Sequence, residues 1–285
     1  MKLSIKKILV PTDFSEISYS ALEYAAFVAK KAGAKITLLH VYEHGDDDSA
    51  QKITNYKELI EKGIQQKMED IKSENMNLWG VKIETKIVNG KTYREIEAAV
   101  QELGIDMVVM GTHGSKLDVK HLSKYFLGSN AYRTVHESSC PVITIRKKAK
   151  KIECANILLP LDVTKESRQK TDFAVEWAKL FGAKIHLLAV TELLDEFISD
   201  VNKLNELLKE VETRLQKEEI PYTVKMYRNS SLSKTVLQHA KKMNCDLVLI
   251  MSRKDSMFGE FLVPAADRKV IGESEISVLS LRPKP

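Results

Sequence analysis

Residues 7–41, KILVPTDFSEISYSALEYAAFVAKKAGAKITLLHV, align without a gap on residues 156–190, NILLPLDVTKESRQKTDFAVEWAKLFGAKIHLLAV. Ile8, Leu9, Pro11 and Asp13 recur as Ile157, Leu158, Pro160 and Asp162. The block GAKI recurs whole, followed each time by Leu-Leu and, two positions on, Val. A self-match of this length is the mark of an internal duplication, and it constrains the fold more than any local propensity does. Whatever one half folds into, the other half must fold into as well.

The order of elements within a half follows from hydrophobic periodicity. A short apolar run, KILVP, precedes a helix-period segment and a second apolar run, ITLLHV. A long amphipathic stretch over 51–76 places Ile53, Tyr56, Ile60, Ile64, Met68 and Ile71 three or four residues apart. Its counterpart over 194–217 carries Phe197, Val201, Leu204, Leu208, Val211 and Leu215. The spacing predicts helices packed on a sheet, since the apolar stripes are too short for coiled coils. Then come an alternating strand (VKIETKIV and YTVKMYR), a third helix, a buried strand (DMVVMG and DLVLIMS), a fourth helix and a last strand (PVITIR and ISVLSLR).

Strands that alternate with helices predict an α/β fold with a parallel sheet covered on both faces. The uniformly apolar strands belong in the centre and the alternating third strand at an edge. The expectation is two open five-stranded parallel-sheet domains of strand order 3-2-1-4-5, residues 1–148 and 153–285, divided in the polar stretch KKAKKIECA. The last strands of the two halves, VITIR and VLSLR, are apolar and would be hazardous as bare edges. Pairing between them, giving an intramolecular pseudo-dimer, is therefore expected, with a homodimer as a further possibility.

The chain has 285 residues, enough for two domains of ordinary size. Its net charge of +5 comes from 44 basic against 39 acidic residues, a mixed surface rather than the segregated basic face of a nucleic-acid binder. Cys140, Cys154 and Cys245 lie far apart, without a CxxC pair, which argues against a disulfide framework or a structural zinc site. No apolar run reaches the roughly 18 residues of a membrane span, and the first residues lack the apolar core of a signal peptide. The expected location is the cytoplasm. His113, His121 and His136 share a region with Cys140 but show no metal-ligand spacing, so no metal site is expected. His40 is expected to be a packed, hydrogen-bonded residue; its counterpart is Ala189, so the fold does not require it.

Open parallel sheets bind ligands beyond the carboxyl ends of their strands, where the strand order reverses. In the order 3-2-1-4-5 that crevice lies between strands one and four. Strand one ends in Pro11-Thr12-Asp13, and strand four ends in Met110-Gly111-Thr112-His113-Gly114. Glycines allow close approach of the backbone to a ligand. Gly128, Ser129 and Asn130 then open a helix, whose free N–H groups and dipole favour an anion. A nucleotide across the crevice satisfies both ends, with sugar near Asp13 and phosphates near Gly114, Gly128 and Ser129. The bland alternative is a glycine-marked turn kept for folding alone.

The duplicated chain, PTDFS, GTHG, LGSN and the Cys-Pro-Val before the last strand together resemble the universal stress protein family in its tandem two-domain form. The resemblance covers nearly the whole chain. It implies an adenine-nucleotide α-hydrolase-like fold, ATP bound with Mg²⁺, and a role in the stress response. ATP-binding members carry glycine, two residues, glycine, nine residues, glycine, then serine or threonine. Gly111, Gly114, Gly128 and Ser129 match that pattern, but thirteen residues, SKLDVKHLSKYFL, stand where nine are usual. By resemblance Asp13 faces ribose and adenine, Val41 meets adenine, and the glycines hold phosphate. Lys116, Lys120, His121 and Lys124 of the insert either neutralise phosphate or solvate a longer loop.

The second half keeps Asp162 but replaces the first glycine pair by Met251 and Lys254 and the later Gly-Ser by Val263-Pro264. It is expected to be silent toward nucleotide. The chain shows neither a GxSxG elbow nor a P-loop. Three readings stay open: an ATP-binding regulatory module, a slow ATP hydrolase or phosphotransferase, and a scaffold that binds no nucleotide.

Overall fold

The computed structural model describes residues 3–43, 54–113, 127–162, 166–191, 198–228, 231–252 and 266–283. In the first half, β1 (Lys7–Thr12), α1 (Glu16–Ala32), β2 (Lys35–Tyr42), α2 (Thr54–Trp79) and β3 (Ile83–Asn89) are followed by α3 (Thr92–Leu103), β4 (Met107–Gly111), α4 (Ser129–Glu137) and β5 (Val142–Ile145). The second half repeats the series as β6 (Asn156–Leu161), α5 (Glu166–Phe181), β7 (Lys184–Val190), α6 (Ile198–Lys217), β8 (Tyr222–Tyr227), α7 (Leu232–Lys242), β9 (Leu247–Met251), α8 (Ala266–Glu273) and β10 (Ser277–Leu281).

The ten strands among the described residues join one sheet in the order β3-β2-β1-β4-β5-β10-β9-β6-β7-β8. Each half therefore has the expected order 3-2-1-4-5. Within each half every pairing is parallel, and the alternating strands β3 and β8 form the two outer edges. The halves meet where β5 and β10 pair antiparallel, Leu279 opposite Ile143. The apolar last strands thus cover each other. The central strands are buried on both faces: Ile8, Leu9 and Val10 of β1 and Ile157, Leu158 and Leu159 of β6 are all fully buried.

Local chemistry sets the element ends. Ser15 caps α1, its hydroxyl accepting from the Ser18 N–H, and Gly33 ends the helix in the left-handed conformation. The helix read from the sequence over 51–76 runs on to Trp79 and stops at Gly80, whose φ of 65° supplies the same exit. The start of each half is tied by an aspartate in the same place. Asp106 Oδ2 accepts from the Lys6 and Lys7 N–H groups, and Asp246 Oδ2 from those of Ala155 and Asn156.

The seam carries a reciprocal device. Arg146, just past β5, donates from Nη1 to the Glu273 carbonyl at the end of α8, at 3.0 Å. Arg282, just past β10, donates from Nη1 to the Glu137 carbonyl at the end of α4, at 2.9 Å. Each half thus supplies a cation to the carboxyl end of the other half's last helix, where the helix dipole favours it. On the opposite face, Phe27 of α1 stacks on Phe181 of α5, ring centroids 5.2 Å apart.

Candidate functional site

The crevice at the carboxyl ends of β1 and β4 is built from two turns. Pro11 is buried in β1, Thr12 is half-buried, and Asp13 is exposed beyond the strand. The Asp13 Oδ1 accepts from the Ser15 N–H at 3.1 Å, a local turn that passes the chain into α1. Phe14 has φ of 63°, the left-handed region that a bulky side chain rarely enters. Its N–H is satisfied by Thr12 Oγ1 at 3.1 Å, and Thr12 Oγ1 in turn lies 3.0 Å from Ser18 Oγ. The Phe14 ring stacks on His40 with centroids 4.5 Å apart, and the Lys67 ammonium lies 4.5 Å from the Phe14 centroid.

Across the crevice, Met110 is buried in β4 and Gly111 closes the strand. A Cβ on Gly111 would come within 2.7 Å of Ile17 Cγ2 of α1, so the glycine permits the helix to lie against the strand end. Thr112 is buried, and its N–H donates to the Ile145 carbonyl. Its own carbonyl accepts from the Gly128 N–H at 2.8 Å, which pins the start of α4 to the end of β4. A Cβ on Gly128 would stand 2.9 Å from that carbonyl oxygen, so only glycine fits there without moving backbone. Gly128 is the N-cap of α4 and has no side chain to cap it; the first turn carries no acidic residue. Ser129 and Asn130, the first two helical residues, are exposed. Four N–H groups at a helix start lack partners within the helix, so this is an anion-receptive end.

His113 follows Thr112 on the β4 side of the crevice. Its Nδ1 lies 3.0 Å from Thr112 Oγ1. Burial pushes its pKa down, the Arg146 guanidinium pushes it down further, and the Asp13 carboxylate opposes both. The imidazole is therefore biased toward the neutral form, within the fields of Asp13 and Arg146. Val41, at the carboxyl end of β2, pairs with Val88 of β3 and is half-buried. The structure brings Pro11, Thr12, Asp13, Met110, Gly111, His113, Gly128, Ser129 and Asn130 to one end of the sheet. Gly114 and the insert through residue 126, with Lys116, Lys120, His121 and Lys124, lie outside the described residues.

Three residues with a part in this geometry escape a reading of the sequence: Thr112, Phe14 and Arg146. Thr112 is flanked by the residues that drew attention, and its burial is the only sign of its pinning role. Arg146 comes to His113 only because β5 lies beside β4.

In the second half, Asp162 follows β6, and Ser252 follows β9. Ser252 takes the place of Thr112 but turns toward the seam, its hydroxyl within reach of two carbonyl acceptors, Val135 at 3.2 Å and Leu281 at 3.3 Å. Arg253, Lys254, Val263 and Pro264 lie outside the described residues. Among the described residues no group of three His, Cys, Asp or Glu side chains is arranged to hold a metal ion. No described helix is long and apolar enough to cross a membrane.

The chain is similar to proteins of one family throughout. It is 31% identical over 166 residues to the universal stress protein MJ0577 of Methanocaldococcus jannaschii, an alignment spanning 52% of this chain and 99% of that protein. It is 30% identical over 151 residues to MJ0531 of the same organism, across 51% of this chain and 84% of the relative. A crystal structure of a universal stress protein from Archaeoglobus fulgidus matches both halves together, with a TM-score of 0.77 at 21% identity, over 97% of this chain and 98% of that one. That likeness shows that the two-domain fold is shared. The universal stress protein family model matches twice, at residues 4–146 and 154–282. The chain therefore belongs to the universal stress protein family and carries two copies of its domain in tandem.

Proposed function

We propose that the first half binds ATP with Mg²⁺ and that the second half, silent toward nucleotide, completes the fold of a regulatory module acting in the stress response. The observation that carries this reading is the uncapped start of α4, with no acidic residue in its first turn, across the crevice from Asp13. The free N–H groups and the dipole of a helix N-terminus favour a phosphate. Asp13, exposed and acidic, suits ribose hydroxyls and would repel phosphate, which orients the nucleotide. Gly111 and His113 line the path between, Met110 and Val41 supply apolar surface for the base, and Thr12 holds the turn that carries Asp13. Mg²⁺ would travel with the polyphosphate, as a hard cation held by phosphate oxygens and water.

The second half supports the reading by contrast. It keeps Asp162 at the end of its first strand but neither the glycines nor the Gly-Ser pair. The test is calorimetric titration of ATP with Mg²⁺ into the intact protein and into a Gly128→Val variant. Saturable binding near one site per chain, lost in the variant, is expected. Equal heats in both proteins would overturn the assignment of the site, and absence of binding to the wild type would overturn the nucleotide reading itself.

A further inference from the structure

The two halves are an internal control for each other. Strands β2 and β7 match along the sheet: Ile36 with Ile185, Leu38 with Leu187, Leu39 with Leu188 and Val41 with Val190. Two inner positions break the match: Thr37 stands against His186, whose ring bonds Thr223 and Asn156 within its own half, and the second break is position 40, at the carboxyl end of the strand. In the second half it is Ala189, fully buried within the core. In the half that keeps Gly111 and Gly128-Ser129 it is His40, half-buried and in contact with the β1–α1 turn. The fold is satisfied by alanine there, so the histidine answers to something else.

We propose that His40 is a positioning residue for the ligand site of the first half; this rests on the nucleotide reading above and extends it. His40 Nδ1 lies 2.8 Å from the Thr12 carbonyl oxygen. A carbonyl only accepts, so Nδ1 carries the hydrogen and donates. The Thr12–Asp13 peptide is planar and trans, so fixing its C=O toward His40 turns the Asp13 N–H away from β2. β4 lies on that far side of β1.

The imidazole has a second hold on the same turn. Three non-glycine residues among those described have positive φ: Phe14, Glu219 and Asn244. Glu219 and Asn244 follow the ends of α6 and α7, where such exits are common. Phe14 instead sits between strand and helix, in a conformation that persists only where the surroundings over-determine it. His40 stacks on its ring at 4.5 Å and 23°. One side chain thus fixes a peptide plane on one side of Asp13 and a strained residue on the other.

Two variants separate positioning from mere packing. His40→Ala copies the residue found at the equivalent place in the second half. His40→Asn keeps a donor, because Asn Nδ2 occupies the position of His Nδ1, but removes the ring. Binding of ATP with Mg²⁺ is measured by calorimetry for the wild type and both variants, beside their thermal melts. The expected result is a cooperative melt for all three, affinity lowered about tenfold in His40→Ala, and most of it restored in His40→Asn. Wild-type affinity in His40→Ala overturns the proposal, as does an Asn variant no better than the alanine one. A His40→Ala protein that fails to fold also overturns it, since alanine would then not satisfy the fold. Absence of binding to the wild type removes the nucleotide reading and this proposal together, and is told apart because the unmodified protein itself fails.

Discussion

Removing Arg146 and Arg282 tests whether the seam is held by more than the β5–β10 ladder. Each guanidinium donates to a carbonyl at the carboxyl end of a helix belonging to the other half. A hydrogen bond of this kind contributes about 1 kcal/mol net, and the cation–dipole attraction about 0.3–1 kcal/mol at an accessible site. Both arginines are half-buried, so solvent screens part of this; about 1 kcal/mol for each Arg→Ala change is the expectation. The two contacts share no partner, so the double variant should lose about 2 kcal/mol. For a cooperative unit of 285 residues the unfolding entropy is about 600 cal/mol/K, and 2 kcal/mol then lowers Tm by about 3 °C. Urea unfolding of the four proteins measures this directly, read by Trp79 fluorescence in the first half and Trp177 in the second. A second readout is local. Arg146 helps hold the His113 pKa down, so Arg146→Ala should raise it, visible by NMR titration, whereas Arg282→Ala should leave it in place. Unchanged stability in the double variant, or an unmoved His113, would refute the reasoning.

Two further predictions follow from buried titratable groups. Burial is the first cause that lowers the pKa of His113, His186 and His239. Between the ordinary histidine value of about 6.5 and the lower folded values, the unfolded chain binds more protons, so stability should fall as pH drops through that window; unfolding midpoints that are flat from pH 7 down to 5 would contradict it. The thiols of Cys140, Cys154 and Cys245 are pushed up by burial, to about 11, about 12 and about 12. Iodoacetamide at neutral pH should therefore leave all three unmodified in the native protein and react in urea; rapid native labelling would show that the packing around them is wrong.

The duplication was legible because residues 7–41 and 156–190 align without a gap, and the strand order and the edge positions of β3 and β8 because uniformly apolar strands read differently from alternating ones. The pairing of β5 with β10 was legible for a different reason: two apolar strands could not both be left as bare edges. The reciprocal arginines were not legible. Each joins residues more than a hundred positions apart, and nothing in RKK or LRP marks a helix-end contact. The last turn of α2, from 76 to Trp79, was not legible: the apolar spacing is interrupted at Asn75, whose buried side chain bonds Tyr19 and the Ile71 carbonyl, before Gly80 ends the helix. Within the candidate site, the glycines and Asp13 were visible by type and spacing. The left-handed Phe14 was not, because its conformation comes from the tertiary contacts of His40 and Lys67 rather than from its own propensity.

The central claim is that one half of a duplicated chain kept a nucleotide site while the other lost it. The stoichiometry of ATP with Mg²⁺ on the intact protein tests this most directly. The account predicts one saturable site per chain, abolished by Gly128→Val. Two equivalent sites, or one that survives Gly128→Val, would contradict it.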